Sequence, residues 1–216
     1  MCIRDGISER ALEGELEAAF KRRGAQRLAF DSIIKSGPNS LWPWRILAAH
    51  YDRRNRSMHD GELVIFDVGC EFDLYSSDVG RTFPVSGRFT ARQRELVEMV
   101  RTVADAVIAS IRPGVTFRDL RETAYAAIPA DEQRYMQAAL FFGHHVGLAV
   151  GDPSIDDAAL AAGMVFTVEP WYYNHDEAVA VFLEDELLVT ADGAENLTAS
   201  LPRTAAQLER MVGMLR

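Results

Sequence analysis

Two glycine-opened apolar runs constrain this chain more than any other feature. Gly61-Glu-Leu-Val-Ile-Phe-Asp67 and Gly163-Met-Val-Phe-Thr-Val-Glu169 each place a carboxylate six residues after the glycine, at the end of an apolar stretch. Such a run reads as a strand buried on both faces. A carboxylate at its end then needs a charged or hydrogen-bonding partner, because desolvating an unpaired charge is too costly. The echo extends upstream. Gly6-Ile7-Ser8-Glu9-Arg10-Ala11-Leu12 recurs as Gly114-Val115-Thr116-Phe117-Arg118-Asp119-Leu120, and a histidine precedes each apolar run, His50 in the first case and His144 in the second. Three matches in one order indicate an internal duplication, with pseudo-repeats at about 6–111 and 114–200.

Each repeat reads as α+β, and the halves are expected to be related by a pseudo-twofold. Ser8 and Thr116 are candidate N-caps. The first half should give a helix at 8–23, a strand or bend at 26–35 and a hairpin at 62–69 and 74–84. A long helix then runs from Thr90, where Thr90-x-x-Gln93 forms a capping box, to Ile111. Arg112-Pro113-Gly114 ends it. The second half should give helices at 117–128 and near 131–138, then strands near 143–150, 164–173 and 178–190. No low-complexity linker interrupts the chain, so residues 1–216 are expected to form one compact domain.

The carboxylates are expected to converge. A tight turn centred on Phe72-Asp73 would set Asp67 directly opposite Asp78 on one face of the hairpin. Like charges so placed destabilise a sheet unless a cation lies between them. Glu169 and Glu184 repeat the arrangement across the stretch from Pro170 to Leu183. His144 and His145 are adjacent, so on a strand only one of them can enter the same site, and periodicity does not choose between them.

Composition narrows the setting. The 216 residues are 48% hydrophobic and 25% charged, ordinary for a globular protein. A net charge of −9 argues against non-specific nucleic-acid binding and gives no reason to invoke an anionic membrane surface. No apolar run approaches the roughly 20 residues of a membrane span, and the first residues lack a signal-peptide stretch. Cys2 and Cys70 make no disulfide framework and lack metal-ligand spacing, so the expected setting is the reduced cytoplasm. Cys70 reads as a packed thiol.

Together, Asp67-Val-Gly, Ser77-Asp78-Val-Gly-Arg-Thr-Phe-Pro, Gly143-His144-His-Val-Gly147-Leu148, Thr167-Val-Glu169-Pro170 and Leu183-Glu184-Asp185-Glu-Leu-Leu-Val-Thr190 resemble the pita-bread metallopeptidases. Aminopeptidase P and prolidase are the nearest branch, and the resemblance runs from Gly6 to Leu201-Pro202-Arg203. It implies two divalent metal ions. Asp67 would bind one, His144 and Glu169 chiefly the other, and Asp78 and Glu184 would bridge both. His144 is preferred to His145 because Gly147 follows it by three. Mn²⁺ or Co²⁺ suits an oxygen-rich set with one imidazole, with Zn²⁺ and Fe²⁺ still open. The implied reaction is hydrolysis of an Xaa-Pro bond in a short peptide. Glu169 would transfer the proton, His50 would sit beside the substrate carbonyl, and Trp171 would line the substrate pocket. A homodimer is a further expectation.

The resemblance has gaps. Gly151 stands where the peptidases carry a second histidine, Leu140 where aminopeptidase P carries another, Phe182 where an arginine is usual, and Trp171 where the glycine of Glu-Pro-Gly is usual. The stretch between Asn39 and His50, Ser40-Leu-Trp42-Pro43-Trp44-Arg45-Ile-Leu-Ala-Ala49, reads as an insertion, with Arg45 a candidate replacement for the arginine and His145 or His175 for the histidine. An N-terminal domain usual in this branch is expected to be lacking. These departures keep two alternatives in view, a creatinase-like enzyme acting on a small non-peptide substrate and a non-catalytic metal-binding module.

Overall fold

The computed structural model describes residues 3–41, 55–137, 143–152 and 157–214. The first half runs α1 (Glu9–Arg22), β1 (Arg27–Leu28), β2 (Ile33–Ser36), a 3₁₀ turn (Gly37–Leu41), β3 (Leu63–Val68), β4 (Cys70–Phe72), β5 (Tyr75–Ser76), β6 (Val79–Pro84) and α2 (Ala91–Ser110). The second runs α3 (Phe117–Ala127), α4 (Gln133–Gln137), β7 (Val165–Val168), β8 (Trp171–Asn174), β9 (Val179–Phe182), β10 (Asp185–Val189), β11 (Ala194–Asn196) and α5 (Ala205–Met214).

The caps form as the sequence indicates. The Ser8 hydroxyl accepts from the Ala11 N–H, and both Thr90–Gln93 and Thr116–Asp119 close complete capping boxes. The duplicated glycines share a conformation as well as a position. Gly6 and Gly114 have φ of 78° and 93°, and Gly61 and Gly163 have φ of 89° and 92°. That left-handed region is open to glycine at little cost, which is why each run starts with one.

The sheets are antiparallel ribbons in the orders β2-β3-β6, β11-β10-β7, β8-β9 and β1-β4-β5. Gly80 of β6 also pairs with Glu184, joining the first-half ribbon to the chain entering β10. Val64, Phe66 and Val68 of β3 and Phe166 and Val168 of β7 share a core with Leu96, Val100, Val103 and Val107 of α2. Ile65 packs instead into a second cluster with Leu41, Trp171, Tyr173, Ala180 and Phe182. Helices thus cover one face of β3 and aromatic side chains the other, so the strand shows no polar alternation.

Four expectations are corrected. The hairpin turn centres on Asp73-Leu74, both with positive φ (48° and 74°), so Asp67 pairs with Gly80 and not with Asp78. The two central residues suit the twist of a two-residue hairpin, although neither is the glycine or asparagine that would have signalled it at Leu74. The register moves by two residues, which keeps Asp78 on the face of Asp67 but diagonal to it. No strand spans 143–150; only His145 makes isolated bridges, to Phe166 and Asp152. Gly143 has φ of 144°, and a side chain there would overlap the Thr167 carbonyl. The expected strand 164–173 is interrupted at Glu169-Pro170, since Pro170 has no N–H for the ladder, and the expected 178–190 strand breaks at Leu183-Glu184. Strand β11 and helix α5 lie beyond the elements read from the sequence.

Candidate metal centre

The two strand breaks build the site. Val168 pairs with Asp185, so Glu169 and Glu184 are the next residues across from one another as both chains leave the ladder. Gly80 then connects the halves, with Asp67 across from it in β3 and Glu184 across from it on the other side. Its N–H and carbonyl both hydrogen-bond to Glu184, at 3.4 and 3.0 Å. A side chain at Gly80 would overlap the Phe182 ring.

Asp67, Asp78, Glu169 and Glu184 are all buried. The Nε2 of His144 lies 3.3 Å from Asp78 Oδ2 and 3.5 Å from Glu169 Oε1. Among the described residues, Asp78, His144 and Glu184 offer ligand atoms that all fall within 4.8 Å of one another. His145 turns the other way. Its ring packs edge-on against Phe117 at 5.1 Å and Phe166 at 6.2 Å, with Nδ1 3.3 Å from the Val165 carbonyl. The backbone therefore separates the two histidines where periodicity alone did not.

Burial raises the carboxylates far above their usual range. Glu169 is pushed up to about 8 chiefly by desolvation, and Asp78 to about 8 by desolvation and then by Glu186. Asp67 and Glu184 are raised well above normal by burial and by Asp78 next to them. Four desolvated carboxylates that act on one another call for cations. Among the described residues, Asp78 Oδ1 and Glu184 Oε2 are buried without a hydrogen-bond partner, and oxygens of that kind fit inner ligation of a divalent ion. The donor set fits the metal that the resemblance implies.

Supporting residues were not singled out in the sequence. The Thr167 hydroxyl donates to Glu169 Oε1 (2.9 Å) and accepts from the His144 N–H (3.1 Å), so one side chain orients two candidate ligands. Glu186 accepts from the Asp78 N–H at 3.0 Å. Asp185 pairs with Arg81 and Arg203, both at 2.7 Å, and Arg81 also donates to the carbonyls of Gly80 and Glu184. The available signal was alternation: 167 and 169 share one face of an extended chain, and 184 and 186 another.

Trp171 is 5% exposed, and its indole N–H donates to Glu169 Oε2 at 3.3 Å. Gly151 is exposed, and a Cβ there would meet nothing within 4 Å among the described residues. His175 is exposed in the β8–β9 turn. His50, Trp42, Trp44, Arg45 and Leu140 lie outside the described residues.

The sequence profile of metallopeptidase family M24 matches residues 1–191. This chain belongs to that family. It is 31% identical to the Xaa-Pro aminopeptidase of Escherichia coli K12 over 97% of its own length and 53% of the relative's. It is 30% identical to the mitochondrial intermediate cleaving peptidase 55 of Arabidopsis thaliana over 94% of its length and 44% of the relative's. In three dimensions it matches zinc-substituted E. coli aminopeptidase P in complex with product, with a TM-score of 0.87 and 30% identity, covering 99% of this chain and 54% of that one. The fold is therefore the M24 pita-bread fold, and the chain spans about half the length of these relatives. Among the described residues no helix is long and apolar enough to cross a membrane.

Proposed function

We propose that this chain is a metal-dependent exopeptidase that hydrolyses Xaa-Pro bonds in short peptides. The observation that carries the reading is the meeting of ligand atoms from buried Asp78 and Glu184 and half-buried His144, with two carboxylate oxygens left without hydrogen-bond partners among the described residues. Its family and relatives named as Xaa-Pro aminopeptidases support the reaction class. Asp67, Asp78, His144, Glu169 and Glu184 would hold two divalent ions, with Mn²⁺ or Co²⁺ favoured by the oxygen-rich set. When bound, such ions polarise the scissile carbonyl and lower the pKa of an attacking water.

The protein's own groups supply the rest. Glu169 takes the proton from the attacking water and delivers it to the departing proline nitrogen. Thr167 fixes Glu169 for that transfer. His50, assigned by resemblance, donates to the carbonyl oxygen as charge develops there. Trp171 forms part of the pocket wall beside Glu169. This reading treats 1–216 as one catalytic domain, acting as a homodimer in a reducing cytoplasm, in keeping with the free Cys70.

One observation favours a second reading. Phe182 occupies the position of the usual arginine and Gly151 that of the usual histidine, so an apolar ring and an open surface replace two polar side chains. That change suits a small non-peptide substrate on the same metal site. Chelator-stripped protein should regain cleavage of an Xaa-Pro dipeptide and tripeptide panel on Mn²⁺ or Co²⁺ addition. Metal uptake without cleavage of any panel member would favour the second reading over the first.

A further inference from the structure

Two departures from the peptidase pattern are partners in space. Trp171, in place of the glycine of Glu-Pro-Gly, pairs directly across the β8–β9 ladder with Phe182, in place of the arginine. The rings stack with centroids 3.5 Å apart and planes 18° from parallel, and Tyr173 lies parallel to the indole at 5.5 Å. Leu41, Ile65 and Ala180 close the cluster. Gly80 beneath Phe182 leaves room for the ring.

Trp171, the ring shared by both stacked pairs, reaches Glu169. This residue leaves β7 just before Pro170, where the ladder stops, so it has no ladder partner across the sheet. Two donors fix it instead, Thr167 Oγ1 on Oε1 (2.9 Å) and Trp171 Nε1 on Oε2 (3.3 Å). The indole N–H is a donor only, so it orients the carboxylate without competing for a cation. Hydrogen-bond partners of metal ligands commonly shift metal affinity by about 10–100-fold.

We propose that Trp171 is a positioning residue that holds Glu169 in its ligating orientation, and that Phe182 locks the indole in place for it. The inference rests on the metal-dependent reading of the site. In this chain a neutral, stacked N–H donor beside Glu169 takes the place of a glycine–arginine pair.

Mn²⁺ titration of the chelator-stripped full chain by calorimetry tests it, with the melting temperature of the metal-free protein as a control for folding. Trp171→Phe keeps an aromatic ring and removes the N–H. It should weaken Mn²⁺ binding by about tenfold or more while the metal-free protein melts within a few degrees of the original. Phe182→Leu, which unlocks the indole, should weaken it by a smaller factor. In a Glu169→Gln background, Trp171→Phe should add no further loss. Trp171→Phe binding Mn²⁺ as tightly as the original chain would overturn the proposal, as would an undiminished loss in the Glu169→Gln background. Should Trp171→Phe not fold, Phe182→Leu decides on the same criterion, and unchanged affinity overturns the proposal. An original chain that takes up no Mn²⁺ overturns the metal-dependent reading itself and the inference with it.

Discussion

Gly80 and Glu184 exchange two backbone hydrogen bonds, and this pair joins the two duplicated halves at the candidate metal centre. Gly80 also pairs with Asp67 in β3, so one glycine sets the spacing between ligands from different halves. Its missing side chain is what lets Phe182 lie flat over the junction. Gly80→Ala should cost about 1–3 kcal/mol through overpacking, since the neighbouring ring is locked in a stack. It should also weaken metal binding by moving Glu184. Chemical denaturation and calorimetry would check both, and wild-type values for both would show that the ring has room to yield.

His144 and His145 are adjacent but should behave oppositely. His144 faces Asp78 and Glu169, so His144→Ala should reduce metal affinity by at least about tenfold with little change in metal-free stability. His145 packs edge-on against Phe117 and Phe166, so His145→Ala should leave metal stoichiometry intact and destabilise the fold, by about 1 kcal/mol from the lost ring contacts. Elemental analysis and thermal melts on the two variants separate the roles. Equal metal loss in both would contradict the division.

Much of this arrangement was legible from the residues. The repeat glycines, the caps and the carboxylates at strand ends are local features, and each has a local physical cause. Gly61 and Gly163 need the left-handed region, and Asp67 and Glu169 end runs too apolar to carry an unpaired charge. The hairpin register was not legible, because Leu74 adopts a positive φ that its side chain does not advertise. The supporting residues were hidden for a different reason. Arg81, Asp185 and Arg203 look like surface charges in sequence, and only their long-range pairing accompanies the burial of Arg81 and Asp185 and the half-burial of Arg203. The facing of Trp171 and Phe182 likewise depends on a ladder that the sequence read as the end of one strand and the start of another.

Gly151 offers a direct test of latent peptidase character. A Cβ there meets nothing within 4 Å among the described residues, so a larger side chain can be accommodated without displacing them. Gly151→His should fold as the original chain does and raise kcat/KM for Xaa-Pro peptides by about tenfold or more, the scale of an added general acid or donor. Unchanged peptide turnover in a folded, metal-loaded variant would favour the small-substrate reading.

Stability should depend on pH in a direction opposite to that of ordinary surface ion pairs. Asp78 and Glu169 are each raised to about 8, and Asp67 and Glu184 also stand well above normal, all chiefly through burial. Unfolded carboxylates titrate near about 4. Between those values the folded, metal-free protein binds more protons than the unfolded chain, so its stability falls as pH rises. The stabilising contribution is complete below the unfolded value and is lost as pH rises through the folded one. Thermal melts of chelator-stripped protein should therefore show a lower Tm at about pH 8 than at about pH 5.5. Saturating Mn²⁺ should flatten or reverse that slope, because the ion replaces the protons, and its binding should release protons to the buffer. A metal-free Tm that climbs steadily from about pH 5.5 to about pH 8 would mean that the four carboxylates are solvated or already paired in solution.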